Sequence, residues 1–267
     1  MKLAIGLICF FVMFFLSVPN LVADDAKARE IMEKVDARDE GDNRTSDMEM
    51  ILIDKRGKKR IRKIQSMNKD FGKDTYRLMF FLQPVDVKNT GFLTYDYDEA
   101  DKDDDQWLYL PALKKTKRIS STDKSGSFMG SDFSYSDMTD RNLEDYDFTL
   151  KKEISVNGKD AWVIESIPRS RDVIEETGYT KTLIIVRKDN YVVIRAVNWM
   201  KSTNKLKFME ITDLALIDGI WTAKEMQMTT KKGKQVQHKT ILKFSDIKYN
   251  QDLSESAFTI RRLEKGS

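Results

Sequence analysis

The sequence has almost no cysteine, histidine or proline. Its 267 residues include one cysteine, one histidine and four prolines. Because Cys9 lies in an apolar amino-terminal run, neither a disulfide nor thiolate chemistry is expected after that run. A single histidine excludes a histidine-rich metal site. The few prolines and the lack of a flexible linker predict one domain.

The sequence also lacks an excess of charge of one sign. Lysine and arginine number 46, and aspartate and glutamate number 43, which gives a formal net charge of +3. Proteins that bind nucleic acid usually have a strong basic excess, so no nucleic-acid partner is expected. An apolar content of 40% is ordinary for a soluble protein and allows a substantial core.

No apolar run is long enough to span a bilayer. The amino-terminal run, residues 3–16, has 14 residues, whereas a membrane-spanning helix needs about 20. Lys2 precedes the run, and Leu21-Val22-Ala23 closes the segment before Asp24, which is the layout of a secretory signal peptide. We expect residues 1–23 to be cleaved, with an uncleaved anchor as the alternative. Residues 24–267 would then work in an envelope or extracellular compartment.

Groups that could carry out catalysis are scarce. His238 lies between Gln237 and Lys239 on a predicted strand, a setting typical of an exposed histidine without a role. No nucleophile-elbow motif accompanies it, so a Ser–His–Asp triad has no support and the protein is not expected to be an enzyme. An acidic cluster indicates either a solvated loop or a calcium site without EF-hand spacing, and it consists of Asp101, Asp103, Asp104 and Asp105. No cofactor is expected.

The periodicity of apolar residues predicts one helix followed by many strands. Ala28, Ile31, Met32 and Val35 share a helical face, which predicts a helix over residues 26–39. Alternating apolar residues and turn signals such as Asn157-Gly158 predict strands thereafter. The predicted strands are residues 48–53, 60–64, 76–82, 91–97, 107–110, 117–120, 148–154, 161–167, 179–187, 191–199, 206–216, 220–229 and 236–247. The hairpin spacing of the second half is typical of an antiparallel meander.

Residues 121–143 have a different composition. The segment is rich in serine, glycine and aspartate, yet it carries five large apolar residues, which are too many for a plain linker: Phe128, Met129, Phe133, Tyr135 and Met138. Gly126 and Gly130 bracket part of the segment, and they indicate either a bending hinge or a fixed turn.

Two further patterns each leave two interpretations open. Aromatic residues and methionines alternate along several predicted strands, which indicates a packed core or a ligand-lined interior, and methionine suits adaptable apolar binding. Basic residues cluster within residues 55–63, 114–118 and 231–234. These clusters indicate solvated hairpin ends, or contact with anionic lipid head groups or an acidic partner.

Several stretches resemble a known family. They are residues 107–119 (WLYLPALKKTKRI), residues 124–135 (KSGSFMGSDFSY), residues 218–221 (DGIW) and residues 258–261 (FTIR). The sequence is similar to the outer-membrane lipoprotein-sorting proteins, a LolA-like group often associated with resistance-nodulation-division (RND, MMPL-type) exporters. The similarity spans residues 24–267.

The resemblance implies a fold and a role. The fold is mainly β: a single curved, incomplete antiparallel β-barrel of about eleven strands, LolA/LolB-like, with helices covering its concave face. The role is the carriage of a lipid or lipid-modified protein through the periplasm, with acyl chains and an inner-membrane RND/MMPL-type transporter as partners and with transient membrane-surface contact. LolA proper latches its lid with an arginine, and no arginine of this sequence can be matched to it.

On this basis we make two predictions about the site. Residues 121–143 and the first helix would form a movable cover, with Gly126 and Gly130 as its hinge. The predicted lining of the apolar cavity consists of Ile31, Val35, Phe92, Trp107, Tyr109, Phe128, Met129, Trp162, Trp199 and Met226. An accessory subunit that docks on the exporter and binds no lipid is the main alternative function.

Overall fold

The computed structural model describes residues 24–99, 102–201 and 203–267, so the predicted signal peptide lies outside the described residues. The described chain contains thirteen strands and three α-helices. The strands are β1 (Asn43–Asp54), β2 (Lys59–Phe71), β3 (Asp74–Gln83), β4 (Gly91–Asp96), β5 (Asp105–Leu110), β6 (Lys115–Ile119), β7 (Tyr146–Val156), β8 (Lys159–Pro168), β9 (Tyr179–Arg187), β10 (Val193–Met200), β11 (Lys205–Ile217), β12 (Ile220–Lys232) and β13 (Gln235–Tyr249). The helices are α1 (Ala26–Asp36), α2 (Arg171–Thr177) and α3 (Ile260–Lys265).

All thirteen strands belong to one antiparallel sheet. Their order is β6-β5-β4-β3-β2-β1-β13-β12-β11-β10-β9-β8-β7. Two meanders are therefore joined where β1 pairs with β13, with Met50 opposite Leu242. Strands β6 and β7 form the two outer edges, and residues 121–143 lie between them in the sequence. We call these residues the cover segment.

The sheet curls around the cover segment. Gln106 on β5 donates to the carbonyl of Tyr135, and the hydroxyl of Tyr179 on β9 donates to the carboxylate of Asp137. In a flat sheet β5 and β9 would be roughly 43 Å apart, because neighbouring strands are spaced by about 4.8 Å. Two residues of chain span at most about 7 Å. The face that carries the cover segment is therefore the concave face.

Helix α1 packs on the concave face beside the cover segment. The carboxylate of Asp25 caps its start by accepting from the backbone N–H of Lys27 at 2.8 Å, and the helix ends at Asp36, three residues before the predicted end. Its buried residues Ala28 and Ile31 lie in a cluster with β7, β8 and β9. The carbonyl groups of residues 143 and 146 also accept hydrogen bonds from Arg29.

The other two helices were not predicted from the sequence. Helix α2 begins after Ser170, whose hydroxyl accepts from the backbone of Val173, and ends at Gly178 with φ +76°. Helix α3 packs on the outer face, where Leu263 lies against Phe80 and Leu93. Helix α1 thus lies on the concave face as implied by the resemblance, whereas α3 does not.

The predicted fold class is confirmed. Each of the thirteen predicted strand segments corresponds to one observed strand, although some ends differ, by as much as seven residues at the end of β2. The number implied by the resemblance, about eleven, is too small. Among the described residues, no helix is long and apolar enough to cross a membrane.

Candidate functional site

The apolar part of the concave face is rich in methionine. One buried cluster extends from β6 through β1 to β12 and includes the apolar residues of the cover segment. Eight of the thirteen methionines of the chain lie in this cluster: Met48, Met50, Met79, Met129, Met138, Met209, Met226 and Met228. Methionine is flexible and polarisable, so such a surface can pack against differently shaped apolar partners.

The cover segment fills this part of the concave face with its own side chains. Phe128 is fully buried, with its ring centroid 5.0 Å from that of Phe92, and Phe133 is also buried. Two hollows of about 410 and 370 Å³ are present, one beside Pro84 and one on the outer face between β9 and β12. Neither of these two hollows opens between the cover segment and the sheet. Because Phe128 and Phe133 are buried against the sheet, the structure has its cover closed.

A buried carboxylate fixes the centre of the cover segment to the sheet. Asp132 accepts hydrogen bonds from the hydroxyls of Thr230 and Thr240, and its Oδ2 lies 2.6 Å from Nδ1 of His238. The backbone N–H of Asp132 also donates to Thr240 Oγ1 at 2.9 Å. The interpretation of His238 as an exposed histidine without a role was wrong, because β12 and β13 bring it to the face on which Asp132 lies.

A second contact fixes the tip of the cover segment. Nη1 of Arg62 on β2 donates to the carbonyl of Met129 at 2.5 Å, and the guanidinium lies 5.7 Å from the ring centroid of Phe81. Burial lowers the pKa of Arg62. This arginine could not be identified from the sequence, because its role depends on a residue 67 positions away.

An ion-pair network, largely buried at Arg77 and Asp96 and exposed at Asp140, holds the carboxy-terminal end of the cover segment. Arg77 on β3 pairs with both Asp96 on β4 and Asp140, and the backbone N–H of Asp140 donates to Asp96 at 2.8 Å. Burial, followed by repulsion from the Asp140 carboxylate, raises the pKa of Asp96 to about 7, although Arg77 acts in the opposite direction.

This raised pKa predicts a pH dependence of stability. An aspartate in an unfolded chain titrates near 3.9, so at intermediate pH the folded state holds a proton that the unfolded state has lost. The contribution of Asp96 to the free energy of unfolding should therefore decrease by a few kcal/mol as the pH rises from about 4 to about 7, and then level off. Urea unfolding at several pH values measures this, and Asp96→Asn should flatten the slope. An unchanged slope in Asp96→Asn would contradict the assignment, and Asp98→Asn serves as an exposed control.

The opposite flank of the cover segment binds to β9, β10 and β11. Arg141 donates to Thr182 and Asn198, and the Asp137 carboxylate accepts from Tyr179 and lies 3.8 Å from Nζ of Lys207. Burial lowers the pKa of Lys207 and raises that of Tyr179. At the start of the segment, Lys124 is almost fully buried and pairs with Glu176 of α2. Polar side chains thus connect the cover segment to both halves of the sheet.

The two predicted hinge glycines have different surroundings. Gly130 has φ +73°, a conformation that side chains rarely adopt, and open space around its α-carbon. A β-carbon at Gly126 would lie 2.9 Å from the carbonyl oxygen of Asp123. Alanine at either position would therefore disturb the closed cover itself. Their role as a hinge stays a prediction.

The structure separates the predicted lining residues into three groups. Phe92, Phe128, Met129 and Met226 come together in the methionine-rich cluster. Ile31, Val35 and Trp162 lie together in the cluster around α1. Three others are not brought to the concave face: Trp107 and Tyr109 lie beneath the carboxy-terminal segment on the outer face, and Trp199 alternates with Asn198, whose side chain faces the cover. A role in ligand binding stays a prediction for all ten residues.

Three residues of the acidic cluster form polar contacts with neighbouring segments, whereas Asp101 lies outside the described residues. Asp103 accepts from Ser121, Asp104 from the backbone of Tyr97, and Asp105 pairs with Arg118. No group of three or more side chains that could hold a metal ion is found among residues 24–99, 102–201 and 203–267.

Sequence reasoning missed the polar groups that hold the cover. The sequence contained one signal for them, because polar residues occupy positions on the apolar face of β12 and β13. Thr230 shares a face with Met226 and Met228, while His238 and Thr240 share a face with Leu242. A polar patch that interrupts an apolar face at adjacent positions of neighbouring strands indicates a buried polar partner.

Comparison with known proteins gives the following matches. A family model described only as "Uncharacterized protein" matches residues 73–265. The crystal structure of a DUF1329 family protein from Desulfovibrio piger is 30% identical, with 90% of this chain and 99% of that chain covered and a TM-score of 0.82. A putative outer membrane lipoprotein-sorting protein domain from Vibrio parahaemolyticus is 35% identical, with 89% and 98% covered and a TM-score of 0.80.

A more distant structure has the same fold. It is a LolA superfamily protein from Nitrosomonas europaea, which is 20% identical, with 88% of this chain and 98% of that chain covered and a TM-score of 0.66. No curated protein matches the chain.

Proposed function

The chain belongs to the family of LolA-like, outer membrane lipoprotein-sorting and DUF1329 proteins, and from this premise we propose that it is a non-enzymatic carrier of the periplasm. It binds a lipid or the acyl chains of a lipid-modified protein on its concave face. It shuttles this guest between an inner-membrane RND/MMPL-type exporter and the outer membrane, with transient contact at the membrane surface. Residues 24–267 form the carrier domain after removal of residues 1–23.

The methionine-rich concave face is the observation that carries the proposal. An acyl chain in water costs about 0.8 kcal/mol per methylene, so a carrier needs an apolar surface that replaces the bilayer. The apolar concave face provides such a surface, and its methionines adapt to chains of different length.

The closed cover fits a carrier that has no guest bound. Phe128 and Phe133 cover the apolar surface that a guest chain would contact, so that surface stays out of water between two cycles of transport. When the cover moves away and the guest enters, the guest chain replaces the contacts that Phe128 and Phe133 made with the concave face, so the apolar surface stays buried. The hydrogen bonds of Asp132 and Arg62 hold the closed cover to the sheet until a guest enters.

The filled concave face also favours a second function. An accessory subunit of an exporter needs no internal space, and a core closed by Phe128 suits a protein that only docks on its partner. Such a subunit would bind the exporter and carry no guest.

A bound-guest measurement distinguishes the two functions. Native mass spectrometry of the protein taken from the periplasm should show an amphiphile adduct on the wild type. Met226→Glu places a charge beneath the cover and should abolish the adduct, whereas Leu216→Glu, at a residue 57% exposed, should keep it. Circular dichroism confirms that both variants fold. If the wild type carries no adduct even after incubation with a total lipid extract, the carrier function is wrong.

A further inference from the structure

The basic clusters of the sequence meet at one rim of the sheet. Because the strands are antiparallel, the turns after β1, β3, β5 and β12 all lie at the same ends of the strands. Helix α3 joins them there, since Ser267 donates to Asn89 and Thr116 donates to Glu264. We define the basic rim as residues 54–61, 84–88, 111–116, 231–236 and 260–267.

The charges of the chain are divided between its two rims. The basic rim carries fourteen lysines and arginines and three aspartates and glutamates. The turns at the other ends of the strands, which we call the acidic rim, carry fourteen acidic and five basic residues. They are residues 36–42, 72–74, 97–99, 102–105, 157–160, 188–190, 218–219 and 250–252. A chain with a net charge of only +3 is therefore strongly polarised.

The cations of the basic rim are free to meet an external anion. Twelve of the fourteen are exposed, and none has a carboxylate within 4 Å among the described residues. Within the acidic rim, by contrast, Lys73 pairs with Asp98 and Lys159 with Asp189. The turns around α2 lie at the same strand ends as the basic rim, but at β8 to β11. Their charged residues pair with one another, as Lys201 does with Glu175.

Exposed aliphatic side chains are concentrated at the same rim. Among the residues that the structure describes, six large apolar residues are exposed, and five of them belong to the basic rim: Ile61, Val85, Leu113, Val236 and Ile260. Val85 is 89% exposed and Leu113 is 63% exposed. The hollow of about 410 Å³ lies between Val85 and β2, and it is lined by aliphatic residues such as Ile61 and by Lys63 and Lys88.

We propose that the basic rim docks on a bilayer that contains anionic phospholipid. Lysine and arginine at the turns would face the lipid phosphates, and the aliphatic tips would enter the head-group region. An acidic protein would match the charge equally well, but single exposed aliphatic residues scattered among exposed lysines suit the head-group region of a bilayer better than the fixed surface of a protein. Docking would place one end of the concave face against the membrane, so the inference extends the proposed carrier function to its site of loading or delivery.

Vesicle co-flotation tests the proposal without any measurement of guest transfer. The wild type should bind phosphatidylglycerol vesicles, should not bind phosphatidylcholine vesicles, and should dissociate as salt is added. Lys59→Glu with Lys234→Glu should weaken binding by at least about tenfold, since each cation near a charged surface contributes up to about fivefold. Val85→Asp with Leu113→Asp should also weaken it several-fold at unchanged salt.

The matched control reverses the same charges at the other rim. Lys73→Glu with Lys159→Glu changes the net charge equally and should leave binding within about twofold, because these lysines lie at the opposite rim. The variant should also fold, since exposed ion pairs contribute little to stability. Equal binding by the two double variants would overturn the proposal, and so would a wild type that does not bind phosphatidylglycerol at low salt. In the latter case an acidic protein is the better partner for the rim. A lipid adduct in a protein that fails to bind vesicles would leave the carrier function intact while the docking surface is rejected.

Discussion

Guest uptake should stop when the cover is locked to the sheet by a disulfide between positions 132 and 240. Thr240 Oγ1 lies 2.9 Å from the backbone nitrogen of Asp132 and 2.8 Å from its Oδ2, so the two residues are in direct contact, as a disulfide between these positions requires. The only native cysteine is Cys9, so Asp132→Cys with Thr240→Cys introduces a single defined pair. Oxidation then ties the centre of the cover to β13.

The measurement is the uptake of a fluorescent fatty-acyl probe before and after reduction. We expect no uptake by the oxidised protein and full uptake after a reductant is added. The reduced variant should exceed the wild type, because it also lacks the Asp132 carboxylate that holds the cover in contact with Thr230 and His238.

A control disulfide lies on the outer face. Arg195 and Glu210 are directly opposite each other on β10 and β11, a suitable geometry for cross-strand cysteines that do not touch the cover. Arg195→Cys with Glu210→Cys should take up the probe equally in both redox states. Uptake by the oxidised 132–240 pair at the rate of the reduced protein would show that the cover does not control access.

Replacing Arg77 should cause the largest loss of stability of any single charge removal. Arg77→Leu leaves the carboxylates of Asp96 and Asp140 close together without their shared cation, and Asp96 is only 10% exposed. Breaking a buried pair by removing one partner typically costs about 3–5 kcal/mol. For a chain of this size the melting temperature should decrease by roughly 6–20 °C.

Two controls separate the buried charge from the loss of packing. Arg77→Leu combined with Asp96→Asn and Asp140→Asn removes all three charges and should recover most of the stability. Lys73→Leu removes an exposed ion pair with Asp98 and should change the free energy of unfolding by about 0.5 kcal/mol or less. A triple variant as unstable as Arg77→Leu would show that lost packing, rather than unpaired charge, is responsible.

Strands and turns could be predicted because their signals are local. Alternating apolar residues and turn dipeptides such as Asn157-Gly158 identified the segments that form all thirteen strands. Parity also placed Trp107 and Tyr109 on one face of β5. It could not say which face, and the structure places both on the outer side beneath Phe258 and Leu263.

The polar groups of the site could not be predicted, because each acts across a long distance in the sequence. Asp132 and His238 are 106 residues apart, and Arg62 and Met129 are 67 apart. These pairs meet only because the cover segment folds back over the concave face and crosses β2 and β13. The Ser/Gly/Asp-rich composition of the cover segment and its large apolar residues indicated that it is more than a linker. They did not indicate the strands to which it binds.

The sequence alone therefore determined the number and order of the strands, the helix α1 and the small net charge. These properties depend on the periodicity and composition of short stretches, so residues that are close together in the sequence are enough to specify them. Only the tertiary structure decided which face is concave, that Phe128 covers it, and that exposed cations without a carboxylate partner in the described part of the chain collect at the basic rim. Those properties depend on two features of the whole sheet. Successive turns of an antiparallel sheet lie at opposite ends of its strands, and curvature accumulates across all thirteen strands.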